Sequence, residues 1–151
     1  KDKIDFDNCY YLPEDVHKTI YSRCNPEFGD VLVVNIGAGC GISALVNVDF
    51  EFSMKNVALL KTSKDLSSGF VHYYLQENRE NIYQTVTQGG AQAFLSLKTL
   101  KNLIIPLPPL SIQQGIVAQI EAEQEMVNAN KKLIEIYEHK VKDKIGEVWG
   151  E

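Results

Sequence analysis

Residues 103–117 read LIIPLPPLSIQQGIV, and this stretch decides the fold because it separates two kinds of sequence. Its three prolines each fix the backbone angle φ and remove an N–H donor, so regular structure stops there. Before them, the apolar run 103–105 predicts a last strand. After them, Ser111 has the side chain of an N-cap and predicts the start of a helix. We therefore divide the chain into a domain of residues 1–107 and a helical segment of residues 108–151.

The segment after the prolines predicts one helix from Ser111 to Val148, because no further proline interrupts it. At about 1.5 Å per residue this helix would be roughly 57 Å long, whereas a domain of about 110 residues has a radius of gyration near 13 Å. We therefore favour pairing with another helix over a helix folded back on its own domain. Apolar residues repeat every seven positions, as in coiled coils. The predicted pairing seam consists of Ile120, Val127, Asn130, Ile134, Tyr137, Val141 and Val148.

The sequence before the prolines contains short apolar runs that are bounded by turn residues. The runs 31–36, 42–48 and 57–60 predict strands, since each is too short for a typical helix. Residues 69–83 carry apolar side chains near helical spacing and predict a helix. Together these elements predict an α+β fold: a small mixed, strand-rich domain followed by one long C-terminal helix that forms a coiled coil.

The composition limits the classes of function. Of the 151 residues, 44% are hydrophobic and 23% are charged, which is ordinary for a globular domain. No apolar run approaches the roughly 18 residues of a membrane-spanning helix, so no membrane partner is expected. The net charge of −5 argues against binding to nucleic acid by bulk attraction. Residues 51–110, however, carry six basic and four acidic groups, so the sequence allows a local basic surface in this middle part.

The cysteines and histidines indicate neither a metal site nor classical catalysis. Cys9, Cys24 and Cys40 are odd in number and form no CxxC pair, so neither zinc nor a closed set of disulfides is predicted. A reducing cytoplasm is the expected setting. The three histidines lie far apart in the sequence, and no serine or cysteine lies in a nucleophile motif. Because the chain starts at Lys1 without an initiator methionine, we expect a piece of something longer.

The glycine cluster in residues 35–41, NIGAGCG, allows two interpretations. The first is the loop with which Rossmann-like methyltransferases hold S-adenosylmethionine. Such a loop must open a helix and lead to a second strand, but only residues 42–48 separate the glycines from the next turn. Asn35 also lacks the negative charge of the leading position in that loop. The second interpretation, which we favour, is a tight hairpin turn.

Polar side chains near the glycines are candidates for DNA contacts. Gln88 and Gln92 flank a Gly-Gly pair, and a glutamine amide can donate to and accept from an adenine edge at once. The lysines and the arginine of the middle part suit phosphate contacts. Each of these residues also fits an ordinary solvated loop. The candidate base readers are Asn35, Asn56, Gln88 and Gln92, and the candidate phosphate contacts are Lys55, Arg79, Lys98 and Lys101.

Three stretches resemble the C-terminal part of a specificity subunit of a type I restriction-modification system. They are residues 29–46, residues 89–96 with the sequence GGAQAFLS, and residues 103–117. The last is the most specific, because it resembles the family's passage from a target-recognition domain into a conserved spacer helix. Ser111-Ile112-Gln113 departs from the family, which usually has an acidic residue before the first glutamine. Family domains also begin further upstream, so we expect the domain of residues 1–107 to be truncated at its start.

The resemblance implies a non-catalytic protein that reads one half of a split target in double-stranded DNA. Its long helix would pack antiparallel against an equivalent helix, from a second recognition domain or a second copy of this chain, as a spacer between half-sites. The helix would also dock methyltransferase and restriction subunits, which would supply catalysis and hold S-adenosylmethionine and ATP. No cofactor and no metal are therefore expected in this chain. The alternatives are a methyltransferase fragment that uses residues 35–41, and a coiled-coil assembly adaptor that does not bind DNA.

Overall fold

The computed structural model describes residues 3–87 and 93–150. Within these residues it confirms an α+β fold, with a small antiparallel sheet, several helices and one long C-terminal helix. In chain order the elements are α1 (Glu14–Tyr21), β1 (Val31–Val34), β2 (Ser43–Leu45), β3 (Val57–Leu60), α2 (Ser68–Glu77), α3 (Arg79–Thr87), α4 (Leu97–Lys101) and α5 (Leu110–Trp149).

The sheet has three antiparallel strands in the order β2-β1-β3. The central position of β1 explains its run of apolar residues, because both of its edges are paired and Val31 and Val33 are fully buried. The predicted strands 31–36 and 42–48 are shorter in the structure, with four and three residues. The predicted strand 57–60 is confirmed at both ends.

The core of the domain lies between the sheet and α2, which packs against β1 and β2. Leu75 of α2 is fully buried, and burial of a leucine side chain stabilises a fold by about 1.5–3 kcal/mol. Residues that follow α2 in the sequence complete the core. The core therefore connects the sheet with this later part of the domain. The buried side chains of this core are Val31, Val33, Cys40, Ala58, Val71, Leu75, Ile82, Ala93, Leu95 and Leu100.

The prediction of a single helix over residues 69–83 is wrong, because α2 and α3 divide this range. The division falls at Asn78, whose side-chain Nδ2 donates to the carbonyl of Tyr74 at 2.9 Å. The backbone N–H of Asn78 donates to the same carbonyl at 3.1 Å. Asparagine side chains compete for backbone groups in this way and therefore favour helix ends. The following helix, α3, begins directly afterwards at Arg79.

The prediction of a strand over residues 103–105 is also wrong. The chain leaves α4 through a turn in which the N–H of Leu103 donates to the carbonyl of Leu100 at 3.2 Å. Leu103 packs against the core, but Ile104 is 89% exposed and its carbonyl accepts from the hydroxyl of Tyr74 at 3.0 Å. A short apolar run does not by itself specify a strand, because pairing depends on reaching a sheet edge.

The long helix α5 is confirmed, with a small correction at its start. It begins at Leu110, and the carbonyl of Pro109 accepts from the N–H groups of Ile112 and Gln113 at 2.9 and 3.1 Å. Ser111 therefore lies inside the first turn and is not the N-cap. The helix has 40 residues, which is roughly 60 Å at about 1.5 Å per residue.

The chain divides into two compact units, Lys1–Gln114 and Gly115–Glu151. The first contains the sheet, the core and the first turn of α5, and the second contains the rest of this helix. None of the helices in residues 3–87 and 93–150 combines the length and the apolar character needed to cross a membrane.

Candidate nucleic-acid interface

The glycine cluster forms the turn of a hairpin between β1 and β2. The N–H of Gly41 donates to the carbonyl of Val34 at 2.8 Å, and the N–H of Val34 donates to the carbonyl of Ile42 at 2.8 Å. Gly37 and Gly41 have φ angles of 83° and 84°, which residues other than glycine rarely adopt. A strand follows this turn, whereas a methyltransferase loop opens a helix. The hairpin interpretation of residues 35–41 is therefore confirmed.

Three chain segments meet beside the glycine turn. They carry Asn35, Lys55, Asn56 and Phe94, and we call these four residues the reading edge. The N–H of Asn35 donates to the carbonyl of Asn56 at 3.3 Å, and the N–H of Leu95 donates to the carbonyl of Asn35 at 2.8 Å. These bonds join the backbones of the segments that carry two side-chain amides, a cation and an aromatic ring. Such groups contact base edges, phosphates and thymine methyl groups in protein–DNA complexes.

The two asparagines of the reading edge differ in accessibility. Asn56 is exposed and has a left-handed backbone, with φ of 61°, which asparagine tolerates better than most residues. Asn35 is half-buried, and its Oδ1 is buried without a hydrogen-bond donor among the described residues. An unpaired buried acceptor costs about 1–3 kcal/mol. Asn56 is therefore the better placed of the two to present its amide to a ligand.

Phe94 was not among the residues that the sequence singled out for DNA contacts. It forms an isolated antiparallel bridge with Ile36, while its neighbours Ala93 and Leu95 are buried. Phe94 itself is 54% exposed, as expected for an extended segment whose side chains alternate between two faces. The sequence signal that could have identified Phe94 was an aromatic residue between a small residue and an apolar one, Ala93 and Leu95.

Arg79 lies at the first position of α3 and contacts the glycine turn. Its Nη2 donates to the carbonyl of Ala38 at 3.0 Å. The side chain is half-buried, and its Nε is buried without an acceptor among the described residues. Of the four predicted phosphate contacts, Arg79 is thus the one whose guanidinium already binds the backbone of its own domain.

The other predicted contacts have different positions. Lys98 and Lys101 are exposed on α4, three residues apart and hence on neighbouring positions of one helix face. This helix is N-capped by Ser96, whose Oγ accepts from the N–H of Thr99 at 3.0 Å. Gln88 and Gln92 lie outside the described residues.

An aromatic cleft of about 620 Å³ adjoins Lys55. His17 lies in its wall, with Nδ1 2.9 Å from the hydroxyl of Ser53 and Nε2 3.5 Å from the carboxylate of Glu51. Among the residues that the structure describes, no cluster of histidine, cysteine or acidic side chains could hold a metal ion. The aromatic residues of the cleft are Phe6, Tyr10, Tyr11, Phe50 and Phe52.

The predicted pairing seam lies on α5. Val127, Ile134, Tyr137 and Val141 are between 45% and 57% exposed, and Val148 is 78% exposed. Asn130 is exposed and Ile120 is half-buried. A groove of about 560 Å³ on this helix is lined by Leu133, Ile134, Tyr137, Glu138, Val141, Lys142 and Ile145.

The charges on α5 are divided between its two halves. Residues 115–130 contain three glutamates and no basic residue, whereas residues 131–144 contain five lysines and three acidic residues. Two such helices attract each other most when they run antiparallel, because the acidic half of one then lies beside the basic half of the other.

Comparison with known proteins identifies the family. The family model described as the type I restriction modification DNA specificity domain matches residues 2–137. The chain therefore belongs to this family.

Two solved structures are similar to the chain. The first is a chain from a structure described as the structural basis underlying complex assembly and conformational transition of the type I R-M system. It has 28% sequence identity to this chain and a TM-score of 0.58, and the match covers 71% of this chain and 26% of that one. The other is the HsdS subunit from Thermoanaerobacter tengcongensis, with 28% identity and a TM-score of 0.57, covering 71% of this chain and 25% of that one. The chain thus spans about a quarter of the length of each of these proteins.

Proposed function

We propose that this chain is a non-catalytic, cytoplasmic DNA-recognition module of a type I restriction-modification complex. The observation that carries the proposal is the match to the DNA specificity domain over residues 2–137. In this proposal residues 1–107 form a target-recognition domain that reads one half of a bipartite target in double-stranded DNA. Residues 108–151 form the spacer helix. Catalysis belongs to methyltransferase and restriction subunits of the complex, to which the helix docks.

The reading edge supports a role in base recognition. Asn56 presents an amide, and an asparagine amide can pair with the donor and acceptor of adenine in the major groove. Phe94 presents a ring that suits a thymine methyl group. We propose that Asn35, Gln88 and Gln92 act beside them.

Phosphate contacts would come from the exposed lysines. Lys55 lies on the reading edge, and Lys98 and Lys101 lie on α4. Contacts of this kind fix the position of a protein on DNA without reading its sequence. Because the whole chain carries a net charge of −5, we expect weak DNA binding by the chain alone and full affinity only in the assembled complex.

The helix α5 would pair through the pairing seam with an equivalent helix, either from a second recognition domain or from a second copy of this chain. The exposed apolar side chains supply the buried surface that such pairing needs. The uneven charges of its two halves favour the antiparallel arrangement.

The proposal is tested by replacing Asn56 with glycine in the complete complex. Glycine tolerates the left-handed backbone at this position, so the change removes the amide without straining the turn. We expect discrimination at one base pair to fall by about 1–3 kcal/mol. Competition binding with DNA targets that differ at single positions measures this loss.

Asn25→Gly is the matched control, since Asn25 is also exposed with a left-handed φ of 51° but lies before β1, away from the reading edge. The control should leave the sequence preference unchanged. If both variants keep the original preference, Asn56 is not a base reader. If the unaltered complex binds all DNA sequences equally, the proposed function itself is wrong.

A further inference from the structure

Arg79 holds the middle of the glycine turn from a position 41 residues later in the chain. Its Nη2 donates to the carbonyl of Ala38 at 3.0 Å. This is a charge-assisted hydrogen bond, which is stronger than a bond between neutral groups. The carbonyl lies between Gly37 and Gly39, in the middle of the turn.

The stem of the same side chain packs against the end of the turn. A Cβ atom added to Gly41 would lie 3.4 Å from Cγ of Arg79 and 3.7 Å from its backbone oxygen. Gly41 thus leaves room for the arginine stem as well as adopting a φ of 84°. Arg79 therefore contacts the turn at two points, Ala38 and Gly41.

The glycine turn is also bonded to the reading edge. The N–H of Gly37 donates to the carbonyl of Ala93 at 2.9 Å, next to Phe94. On the other side of Ile36, Asn35 is bonded to Leu95 and Asn56. A shift of the turn would therefore move the segments that carry the reading edge.

One of the two donor forks of the guanidinium is not available to a phosphate. Arginine binds phosphate best with two adjacent N–H groups in a fork. In Arg79, Nη2 is already bonded to Ala38, and Nε is buried. The fork that these two groups form is therefore directed at the protein.

We propose that Arg79 is a positioning residue, which fixes the glycine turn and through it the reading edge, and that it does not contact phosphate. The part of this inference that concerns DNA binding rests on the proposed function. The part that concerns the turn can be tested on the chain without DNA.

Cys40 provides the test of the turn. It lies between the glycines and is fully buried. Burial raises the pKa of its thiol, while a backbone hydrogen bond of Leu95 and the positive charge of Arg79 act in the opposite direction. Loss of the charge would therefore slow reaction of the thiol by reducing the thiolate fraction. A faster reaction after loss of the charge therefore requires better access to the thiol, either by opening of the turn or by general unfolding.

The experiment uses Arg79→Lys, which keeps the charge without the planar fork, and Arg79→Gln, which removes the charge. Alkylation of each cysteine by iodoacetamide is followed by mass spectrometry in the full chain. We expect Cys40 to react about tenfold faster in both variants, because local opening becomes more frequent when a charged hydrogen bond is removed. Lys98→Gln should leave the rate at Cys40 unchanged.

The second measurement is the salt dependence of DNA binding by the complete complex. If Arg79 makes no phosphate contact, Arg79→Gln leaves the slope of log K against log salt unchanged and reduces discrimination between sequences. Lys98→Gln, as a phosphate contact, should lower the slope by about 0.9.

Three results would overturn the inference: an unchanged rate at Cys40, a slope lowered by about 0.9 in Arg79→Gln, or equal acceleration at the half-buried Cys24, which would indicate general unfolding. Failure of the unaltered complex to bind DNA specifically would instead count against the proposed function, and the Cys40 result would stand.

Discussion

The side-chain oxygen of Gln113 accepts a hydrogen bond from the backbone N–H of Ser67 at 2.9 Å, across 46 residues of sequence. Its Nε2 donates to the carbonyls of Pro108 and Asp65 at 2.8 and 3.1 Å. Gln113 is fully buried, and Ser67 is the N-cap of α2. One glutamine thus joins the first turn of α5 to the start of α2 within the first compact unit.

We predict that Gln113→Ala lowers the free energy of unfolding by about 2–4 kcal/mol, because it removes the hydrogen-bond partner of a part-buried N–H and of two part-buried carbonyls. Urea unfolding monitored by circular dichroism measures the decrease. Gln114→Ala is the control, since Gln114 is exposed and belongs to the same helix turn. A surface change of this kind alters stability by less than about 0.5 kcal/mol, and equal effects of the two changes would contradict the assigned role of Gln113.

The same substitution should have opposite effects at two glycines. Gly41→Ala places a side chain at φ of 84°, which costs about 1–2 kcal/mol, and also presses on Arg79. Gly115 lies in α5 with nothing within 4 Å of an added Cβ, so Gly115→Ala should stabilise the helix by about 0.5–1 kcal/mol. Thermal unfolding temperatures should shift down and up respectively. A raised temperature for Gly41→Ala would contradict the left-handed backbone assigned to Gly41.

Replacing Ile134 and Val141 with aspartate should abolish pairing of α5, because both side chains belong to the pairing seam and are 57% exposed in the single chain. We expect a lower mass by light scattering. The control is Asn128→Asp with His139→Asp, which adds as many negative charges at exposed positions outside the seam. An unchanged mass in the first variant would refute pairing through this seam.

The double change Lys98→Glu and Lys101→Glu should weaken DNA binding by the complete complex to a similar degree for every sequence. Gln92→Ala, in contrast, should alter which sequence is preferred. The neutral pair Lys98→Gln and Lys101→Gln should lower the salt slope by about 1.8, because each lysine that no longer neutralises a phosphate lowers it by about 0.9.

Lys18→Gln with Lys64→Gln removes the same charge from exposed positions outside the reading edge and α4. This control variant should keep the original slope. Equal slopes for the two neutral pairs would show that net charge, and not phosphate binding by α4, explains the weaker salt dependence.

The elements that follow from local patterns were predictable, and those that depend on long-range contacts were not. Residues 57–60 and the long helix α5 follow from β-branched or apolar runs and from the absence of proline. The run 103–105 has the same composition as a strand, but neither outer strand of the sheet pairs with it. The end of α2 depends on the bond from Asn78 to Tyr74, and a single asparagine does not always end a helix.

The candidate site divides in the same way. Residue type alone indicated amides and cations in the middle of the chain, and Asn56, Lys98 and Lys101 are exposed in the structure. It could not show that Arg79 binds the carbonyl of Ala38, because the donor and the acceptor lie 41 residues apart.

The sequence by itself determined the interruption of regular structure at the prolines, the hairpin turn and the heptad repeat of α5, because each depends on the backbone freedom or periodicity of neighbouring residues. Only the tertiary structure decided which polar groups meet. It placed Asn35 beside Asn56 and Leu95, directed Arg79 to the glycine turn, and buried Gln113 against Ser67. These contacts close long loops, and their partners are selected by packing of the whole domain, which no local pattern encodes.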